Sequence, residues 1–376
     1  MRIVQIIGGN GRCGAGRVMV SLGRGLRKAG HEVVYAVKPS FAEYYDLVSA
    51  GECCQILPRF RGLALRDVKA FNCHAASADL VLTHDSTSRH LAILAKVLGL
   101  RPPLWFMRHC LSGTTRFGGV QLHRLLVNRQ IVVSEVVRQS LIATGYPASR
   151  TSRVYAGVDL SPFRNPDPAQ VARRRAELLG DLPCGAVVIG IVARMNVGSD
   201  WRVGGPNGKG YDVLFRALAK VRFQFRVLAF GPDKPEVFAA LRQMAAFHGI
   251  RPDAVCFPGF VRDLPSCLPL LTINVLPSRA EGLGLAVIEG MAAGIVTIGS
   301  RGGGMVEIIE PETTGLLIDE GDVAGLASCL NRLVADPERR RTLASRGQTA
   351  VFQRFDASVM TEAFEDVLRQ HLPPRR

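Results

Sequence analysis

At 376 residues the chain has room for two domains with separate cores, and a content of 47% hydrophobic and 21% charged residues excludes a disordered or fibrous protein. No apolar run reaches transmembrane length, and the first one, Ile3 to Ile7, is too short for a signal peptide, so a cytoplasmic location is expected. The charge is lopsided: residues 1–160 carry 21 Lys and Arg against 9 Asp and Glu, whereas the remainder carries 26 against 23. Such an excess serves solubility, or attracts anionic lipid, anionic glycan or nucleic acid. With 7% aromatic content and no nucleic-acid module, nucleic acid is not expected as a partner. The nine cysteines are scattered, odd in number and free of any Cys-x-x-Cys pair, which fits reduced thiols and offers no zinc site.

The chain opens on a strand, Arg2 to Ile7, followed by a glycine-rich turn, Gly8 to Gly16, a helix from about Arg17 to Ala29 and a second strand, Glu32 to Val37. Gly9, Gly11 and Gly14 meet the G-x-G-x-x-G spacing of dinucleotide folds. The acidic residue that should close the second strand is replaced by Val37 and Lys38, which disfavours NAD and leaves NADP open. Strand and helix patterns then alternate: a strand at Asp79 to Thr83, a helix at Ser88 to Leu98, and a strand at Pro103 to Met107 that ends in Arg108 and His109. A strand at Gln130 to Val133 follows, with Ser134 capping a helix that reaches about Thr144. This alternation predicts a doubly wound parallel sheet, in which ligands bind beyond the carboxyl ends of the strands. His109 stands at such an end, as a structural cap or as a ligand contact. His84 and Asp85 end the preceding strand and are weaker candidates at the same edge.

A join, VYAGVDLSPF from Val154 to Phe163, contains Gly157 as a candidate hinge and leads to a Pro-rich linker, Asn165 to Pro168. The second half begins with a helix, Ala169 to Leu179, and a strand, Ala186 to Ala193, ending at Arg194. After a Gly- and Pro-rich link containing Trp201, Lys209 opens the next helix. A strand at Gln224 to Phe230 ends at Gly231. An apolar run, Leu270 to Leu276, is cut off by Pro277 and Ser278 as a buried parallel strand is. A loop, Arg279 to Gly284, gives way to an apolar helix of about Leu285 to Ala293, closed by Gly294. From Gly282 to Ser300 the only charged residue is Glu289, so its carboxylate is expected to be partly buried, at a cost of several kcal/mol unless it is hydrogen-bonded. Glu281 lies eight residues earlier, and Gly282 and Gly284 leave backbone N–H groups bare at the helix start. Two carboxylates around an anion cradle suit a ligand with hydroxyls at both ends and phosphate between, the layout of a nucleotide-sugar. A last strand, Gly315 to Leu317, precedes helices at Asp322 to Ala335, Glu338 to Phe355 and Ser358 to His371.

Several of these stretches resemble one family. Glu281-x7-Glu289 within PSRAEGLGLAVIEGMAAG is similar to the acidic signature of the retaining, GT-B-fold glycosyltransferases of the group 1 or family 4 type, which includes many bacterial envelope and polysaccharide enzymes. The opening GAGRVMVSLGRGLRKAGHEV, the join at Gly157, and Lys209 before Gly-Tyr-Asp-Val-Leu are similar to the same family. The resemblance implies an α/β, GT-B architecture of two Rossmann-like, doubly wound parallel-sheet domains facing a central cleft. Residues 1–160 would form the acceptor-binding domain and 161–355 the nucleotide-sugar-binding domain, with a helix at 356–376 crossing back to the first.

The function implied is transfer of a hexosyl unit from a nucleotide-sugar, UDP-linked by prevalence, to a hydroxyl of a glycan or lipid-linked acceptor, with retention of configuration. Cell-envelope, lipopolysaccharide or polysaccharide biosynthesis is the expected setting, and the basic first domain points to an anionic acceptor and to peripheral contact with the inner membrane face. By resemblance, Glu281 holds the donor sugar's hydroxyls and Glu289 the ribose; Arg194 and Lys209 grip the diphosphate; His109 lies near the donor sugar and its phosphate. Gly14 belongs to the loop that brings backbone close to donor and acceptor, Gly231 lies against the base and ribose, and Gly282, Leu283, Gly284 and Leu285 form the helix-start cradle. No Asp-x-Asp motif occurs, so neither metal nor cofactor is expected, the nucleotide-sugar being a substrate. Two departures stand out: Ala156 where the family has Asn, and a longer link between Arg194 and Lys209. The rivals are an NADP-linked oxidoreductase, which lacks a Tyr-x-x-x-Lys pair and leaves Glu281 and Glu289 unexplained, and a non-catalytic nucleotide-sugar or glycan binder.

Overall fold

The structure is a computed structural model that describes residues 1–9, 13–57, 65–111, 119–183, 185–193, 208–231 and 235–372. Two compact units emerge, Met1–Asp159 together with Phe355–Arg376, and Leu160–Arg354. The first is built on β1 (Arg2–Ile6), β2 (Glu32–Val37), β3 (Cys53–Ile56), β4 (Leu80–Thr83), β5 (Leu104–Arg108), β6 (Arg129–Val132) and β7 (Thr151–Arg153). They pair in parallel in the order β3-β2-β1-β4-β5-β6-β7. The second holds β8 (Val187–Val192), β9 (Phe225–Phe230), β10 (Val255–Gly259), β11 (Ile273–Leu276), β12 (Thr297–Ser300) and β13 (Leu316–Ile318), parallel in the order β10-β9-β8-β11-β12-β13.

Each sheet is doubly wound. The chain runs outward from its first strand, then returns to pair on that strand's other side, so the order reverses between β1 and β4 and again between β8 and β11. These reversals open the crevices where such sheets take ligands. Helices cover both faces, which is why the central strands read as continuous apolar runs; β4 and β11 are buried along their whole length. On one face of the first sheet Val4, Ile6, Val81 and Phe106 pack against Phe71, Leu91 and Ala92. On the same unit, the last helix, Ala357–His371, lies on the first, Gly14–Lys28, so closely that a Cβ on Gly25 would stand 2.0 Å from Thr361 Oγ1.

Where the chain leaves the first unit and where it re-enters, the two passes are laced together. Val158 N donates to Phe355 O at 3.3 Å, and Ala357 N donates to Val158 O at 3.0 Å. Gly157 sits under this crossing, and a Cβ there would meet Asp356 O at 2.7 Å. Its φ is not positive, so the glycine serves close approach rather than the unusual backbone angles expected of a hinge. Other expectations shift at the ends. The strand expected from Leu270 begins at Ile273, because Leu268–Leu270 form a 3-10 turn. The first helix starts at Gly14 rather than Arg17. The edge strands β3 and β7 are short and partly polar, and their pairing comes from the neighbouring strand, not from a pattern of their own. Among the described residues no helix is long and apolar enough to cross a membrane.

Candidate active site

The carboxyl edge of the second sheet is assembled from backbone first. β11 stops at Pro277, and the loop that follows is laid against the glycines after β12. Glu281 N donates to Gly302 O at 3.1 Å, and Gly304 N donates to Glu281 O at 3.0 Å. A Cβ on Gly302 would fall 2.6 Å from Arg279 O, and one on Gly304 2.5 Å from Gly282 O. Gly303 has φ of +95°, and its Cβ would fall 2.1 Å from Glu281 O. Three consecutive glycines are therefore needed for two backbones to touch, and they fix where Glu281 stands.

The loop before the helix Tyr211–Leu218 docks on the same edge. Arg279 N and Ser278 Oγ both donate to Gly208 O, at 3.0 and 3.3 Å. Gly210, with φ of +75°, would put a Cβ 2.0 Å from Pro277 O. Below it Arg279 grips Asp212 through both guanidinium ends, at 2.9 and 2.6 Å. Burial pushes the Asp212 carboxyl up, but the hydrogen bonds and charge of Arg279 outweigh it, and the net shift is down. The scaffold carries Lys209 to Glu281: Nζ donates to Oε1 at 2.7 Å, with the side chains 27% and 16% exposed, so the pair is reachable from solvent.

Beyond Glu281, Gly284 has φ of +110° and opens the helix Leu285–Ala292, which has no side-chain cap. The first N–H groups of an uncapped helix point outward with the positive end of its dipole, a setting for an anion. Gly282 and Leu283 are buried in this turn, while Leu285 is half-buried on the first helical turn. Glu289, one helical turn on, is 2% exposed, as its apolar surroundings led us to expect. Gly231 follows β9 with φ of +113° and donates its N–H to Gly259 O at 2.8 Å. Arg194, Gly11 and the link at 195–207 lie outside the described residues.

The reversal in the first sheet is organised differently. Asp85 Oδ2 accepts from Gly8 N and Gly9 N at 2.9 and 3.0 Å, while Oδ1 accepts from Ser88 N at 2.7 Å and caps the helix Ser86–Val97. Asp85 is thus a structural clamp, with both carboxylate oxygens engaged by the main chain. The amides of Gly8 and Gly9 are thereby occupied, while Gly11, the glycine a dinucleotide's pyrophosphate would approach, lies outside the described residues. Gly14 is the first residue of its helix, whose Cys13 cap makes no side-chain bond. His109 follows β5 directly. Its Nε2 lies 3.2 Å from His84 Nδ1, the rings stack 5.4 Å apart, and His84 Nε2 lies 2.9 Å from Gln5 Oε1. Burial pushes the His109 imidazole down to about 4, and burial and then His109 hold His84 well below the usual histidine range, so both are neutral at pH 7. Nearby, Arg89 and Arg108 both lie over the Phe106 ring, at 5.2 and 5.4 Å, and burial followed by their charge pushes His123 down to about 3.

Residues 195–336 match the family model of glycosyl transferases group 1, and residues 13–162 match that of glycosyltransferase family 4. The chain belongs to the group 1 glycosyltransferases. Within the family it is 31% identical to a D-inositol 3-phosphate glycosyltransferase of Saccharomonospora viridis, over 66% of this chain and 55% of that protein. It is 29% identical to a 2-deoxystreptamine N-acetyl-D-glucosaminyltransferase of Streptomyces fradiae, over 67% of this chain and 60% of that protein. The match therefore spans little more than half the length of these curated relatives. Two parallel-sheet units of this topology make the GT-B fold. The Anabaena protein Alr3699/HepE, solved with UDP and glucose, overlays this group 1 glycosyltransferase with a TM-score of 0.84 at 21% identity, over 98% of this chain and all of that one.

The second unit thus brings Lys209, Glu281, Gly282, Leu283, Gly284 and Leu285 onto one edge, with Glu289 buried in the helix behind them. Gly14 and His109 belong to the first unit. Reading the sequence missed Arg279 and Asp212, which hold the edge together, and Gln5, which stands behind His109 through His84, the weaker candidate at that edge. Arg279 sits one place after the Pro277-Ser278 break, the signal that marks it as a strand-end residue.

Proposed function

We propose that this group 1 glycosyltransferase moves a hexosyl unit from a UDP-linked donor to a hydroxyl of an anionic glycan or lipid-linked acceptor in cell-envelope, lipopolysaccharide or polysaccharide synthesis. In this reading the second unit, within residues 161–355, takes the donor, and residues 1–160 take the acceptor, in the cytoplasm at the inner membrane face. The observation that carries it is the Lys209–Glu281 pair beside an uncapped helix start at the chain reversal of the second sheet. The Lys209 ammonium and the first N–H groups of the helix Leu285–Ala292 neutralise the charge that develops on the departing diphosphate. Glu281 takes hydroxyls of the donor sugar, Glu289 the ribose, and Gly231 lets backbone approach the base. Arg194 adds a second cation by its matching place in the sequence. These cations do the work a metal does elsewhere, so the reaction proceeds without one and without a cofactor.

The reaction retains configuration by front-side displacement. The bond from the anomeric carbon to the phosphate oxygen breaks, the acceptor oxygen bonds to that carbon on the same face, and the acceptor's proton passes to the leaving phosphate. His109, neutral at pH 7, meets a hydroxyl of the donor sugar. The relatives differ in acceptor, inositol phosphate in one and 2-deoxystreptamine in the other, so the anionic acceptor rests on the 21-to-9 excess of basic residues in the first 160. A thermal-shift screen over nucleoside diphosphates comes first, since a ligand of the folded state raises the melting temperature. UDP should give the largest rise. Release of UDP from UDP-glucose should then persist in EDTA and fall about a hundredfold or more in Glu281→Ala and Lys209→Ala, the size of a lost transition-state contact. Wild-type rates in both folded variants would refute the assignment.

A further inference from the structure

Gln5, His84 and His109 come from three adjacent strand positions: Gln5 lies within β1, His84 follows β4, and His109 follows β5. They form a file running from the core to the surface. Gln5 is 0% and His84 2% exposed, while His109 is half-buried. The contacts along the file are Gln5 Oε1 to His84 Nε2 at 2.9 Å and His84 Nδ1 to His109 Nε2 at 3.2 Å.

A proton count follows from these contacts. A carbonyl oxygen only accepts, so His84 Nε2 must carry a hydrogen to reach Gln5 Oε1. A neutral imidazole has one N–H, which leaves His84 Nδ1 bare. His109 Nε2 must then donate to it, and the one ring nitrogen of His109 left over, Nδ1, holds a lone pair. The orientation of Gln5 decides the whole series. Its Nε2 end faces the space over Gly23, where a Cβ would fall 2.6 Å from it and 2.1 Å from the Tyr35 hydroxyl. That Nε2 makes no hydrogen bond among the described residues, and the contact that sets the series is the one from Gln5 Oε1 to His84 Nε2. Burial keeps both histidines uncharged, so the count is not disturbed by a second proton.

We propose that Gln5 and His84 are positioning residues that hold His109 in a single tautomer, with Nδ1 as a bare acceptor, so that His109 receives a hydrogen bond from a sugar hydroxyl and cannot clamp a phosphate. The use of His109 on a sugar rests on the function proposed above; the proton order in the file does not. A phosphate oxygen is itself an acceptor and finds no N–H on a bare Nδ1, whereas a hydroxyl finds a lone pair to donate to.

The test is nitrogen NMR of protein labelled with ¹⁵N-histidine, in which one-bond and longer couplings report which ring nitrogen carries the proton. We expect the Nε2–H tautomer at both His84 and His109 at pH 7; an Nδ1–H tautomer at either overturns the proposal. His84→Asn keeps an oxygen where Nδ1 stood and should preserve the His109 tautomer. His84→Leu should release it into a mixture and lower UDP release from UDP-glucose about tenfold, the weight of one hydrogen bond. A single unchanged His109 tautomer in folded His84→Leu would contradict the relay. If the tautomers follow expectation but His109→Asn turns over like wild type, the relay stands and the role of His109 in transfer falls.

Discussion

Asp85 and Glu281 make an instructive pair. Each is a carboxylate just beyond a strand that flanks a chain reversal, in the first and second sheet respectively, and each sits beside glycines. Asp85 turns both oxygens inward, to the amides of Gly8, Gly9 and Ser88. Glu281 uses only its backbone to hold the neighbouring glycines, and its carboxylate goes to Lys209, a cation with solvent access. The same residue type at equivalent topological places thus does structural work in one unit and is available to a ligand in the other. A carboxylate is a candidate for chemistry when the main chain beside it is already satisfied without it.

The comparison breaks most readily at the glycines. Gly303→Ala forces a side chain against Glu281 O in a backbone region that L residues avoid, and should destabilise the second unit by about 3 kcal/mol or more and abolish UDP binding. A urea melt with an unchanged midpoint would show that the two loops do not need their close contact. Next in size, Asp85→Ala removes a helix cap and leaves two amides without their acceptor, for about 2 kcal/mol of stability. Glu281→Ala should cost under about 1 kcal/mol, since it removes half of a partly exposed ion pair. Paired denaturation curves check both, and equal losses would erase the distinction drawn here.

The smallest effect is on pH dependence. His84 and His109 are held neutral in the folded chain, His109 down to about 4, whereas an unfolded histidine takes up its proton near 6.5. The unfolded state therefore binds more protons below 6.5, and the stability these histidines confer is complete above that pH and is lost as pH falls from about 6.5 to 4. Melting temperatures across this window should fall less steeply in His109→Asn than in the wild type; identical slopes would place the loss elsewhere.

Much of the second unit was legible in the sequence. The apolar run into Pro277, the isolated Glu289 and the glycine spacing each reflect a local constraint: burial of a strand, burial of a helix, or backbone contact. What stayed hidden depends on partners far along the chain. Gly157 reads as a hinge until Asp356 is seen pressed against it. Gly9 reads as a phosphate loop until Asp85, 76 residues on, is found at its amide. Gln5 looks like a lapse in an apolar strand, and only the pairing of β1 with β4 brings it to His84. Arg279 and Asp212 are 67 positions apart, and nothing in either neighbourhood announces the other. Periodicity records which face is buried, not which polar side chains will share it.

The most direct test is an equilibrium titration of UDP into wild type, Lys209→Ala and Asp85→Ala. If the Lys209–Glu281 edge of the second sheet seats the diphosphate, Lys209→Ala should bind UDP at least about tenfold more weakly, a loss of roughly 1.4 kcal/mol, while Asp85→Ala binds as the wild type does. Undiminished binding by a folded Lys209→Ala, or an equal loss in Asp85→Ala, would contradict the account.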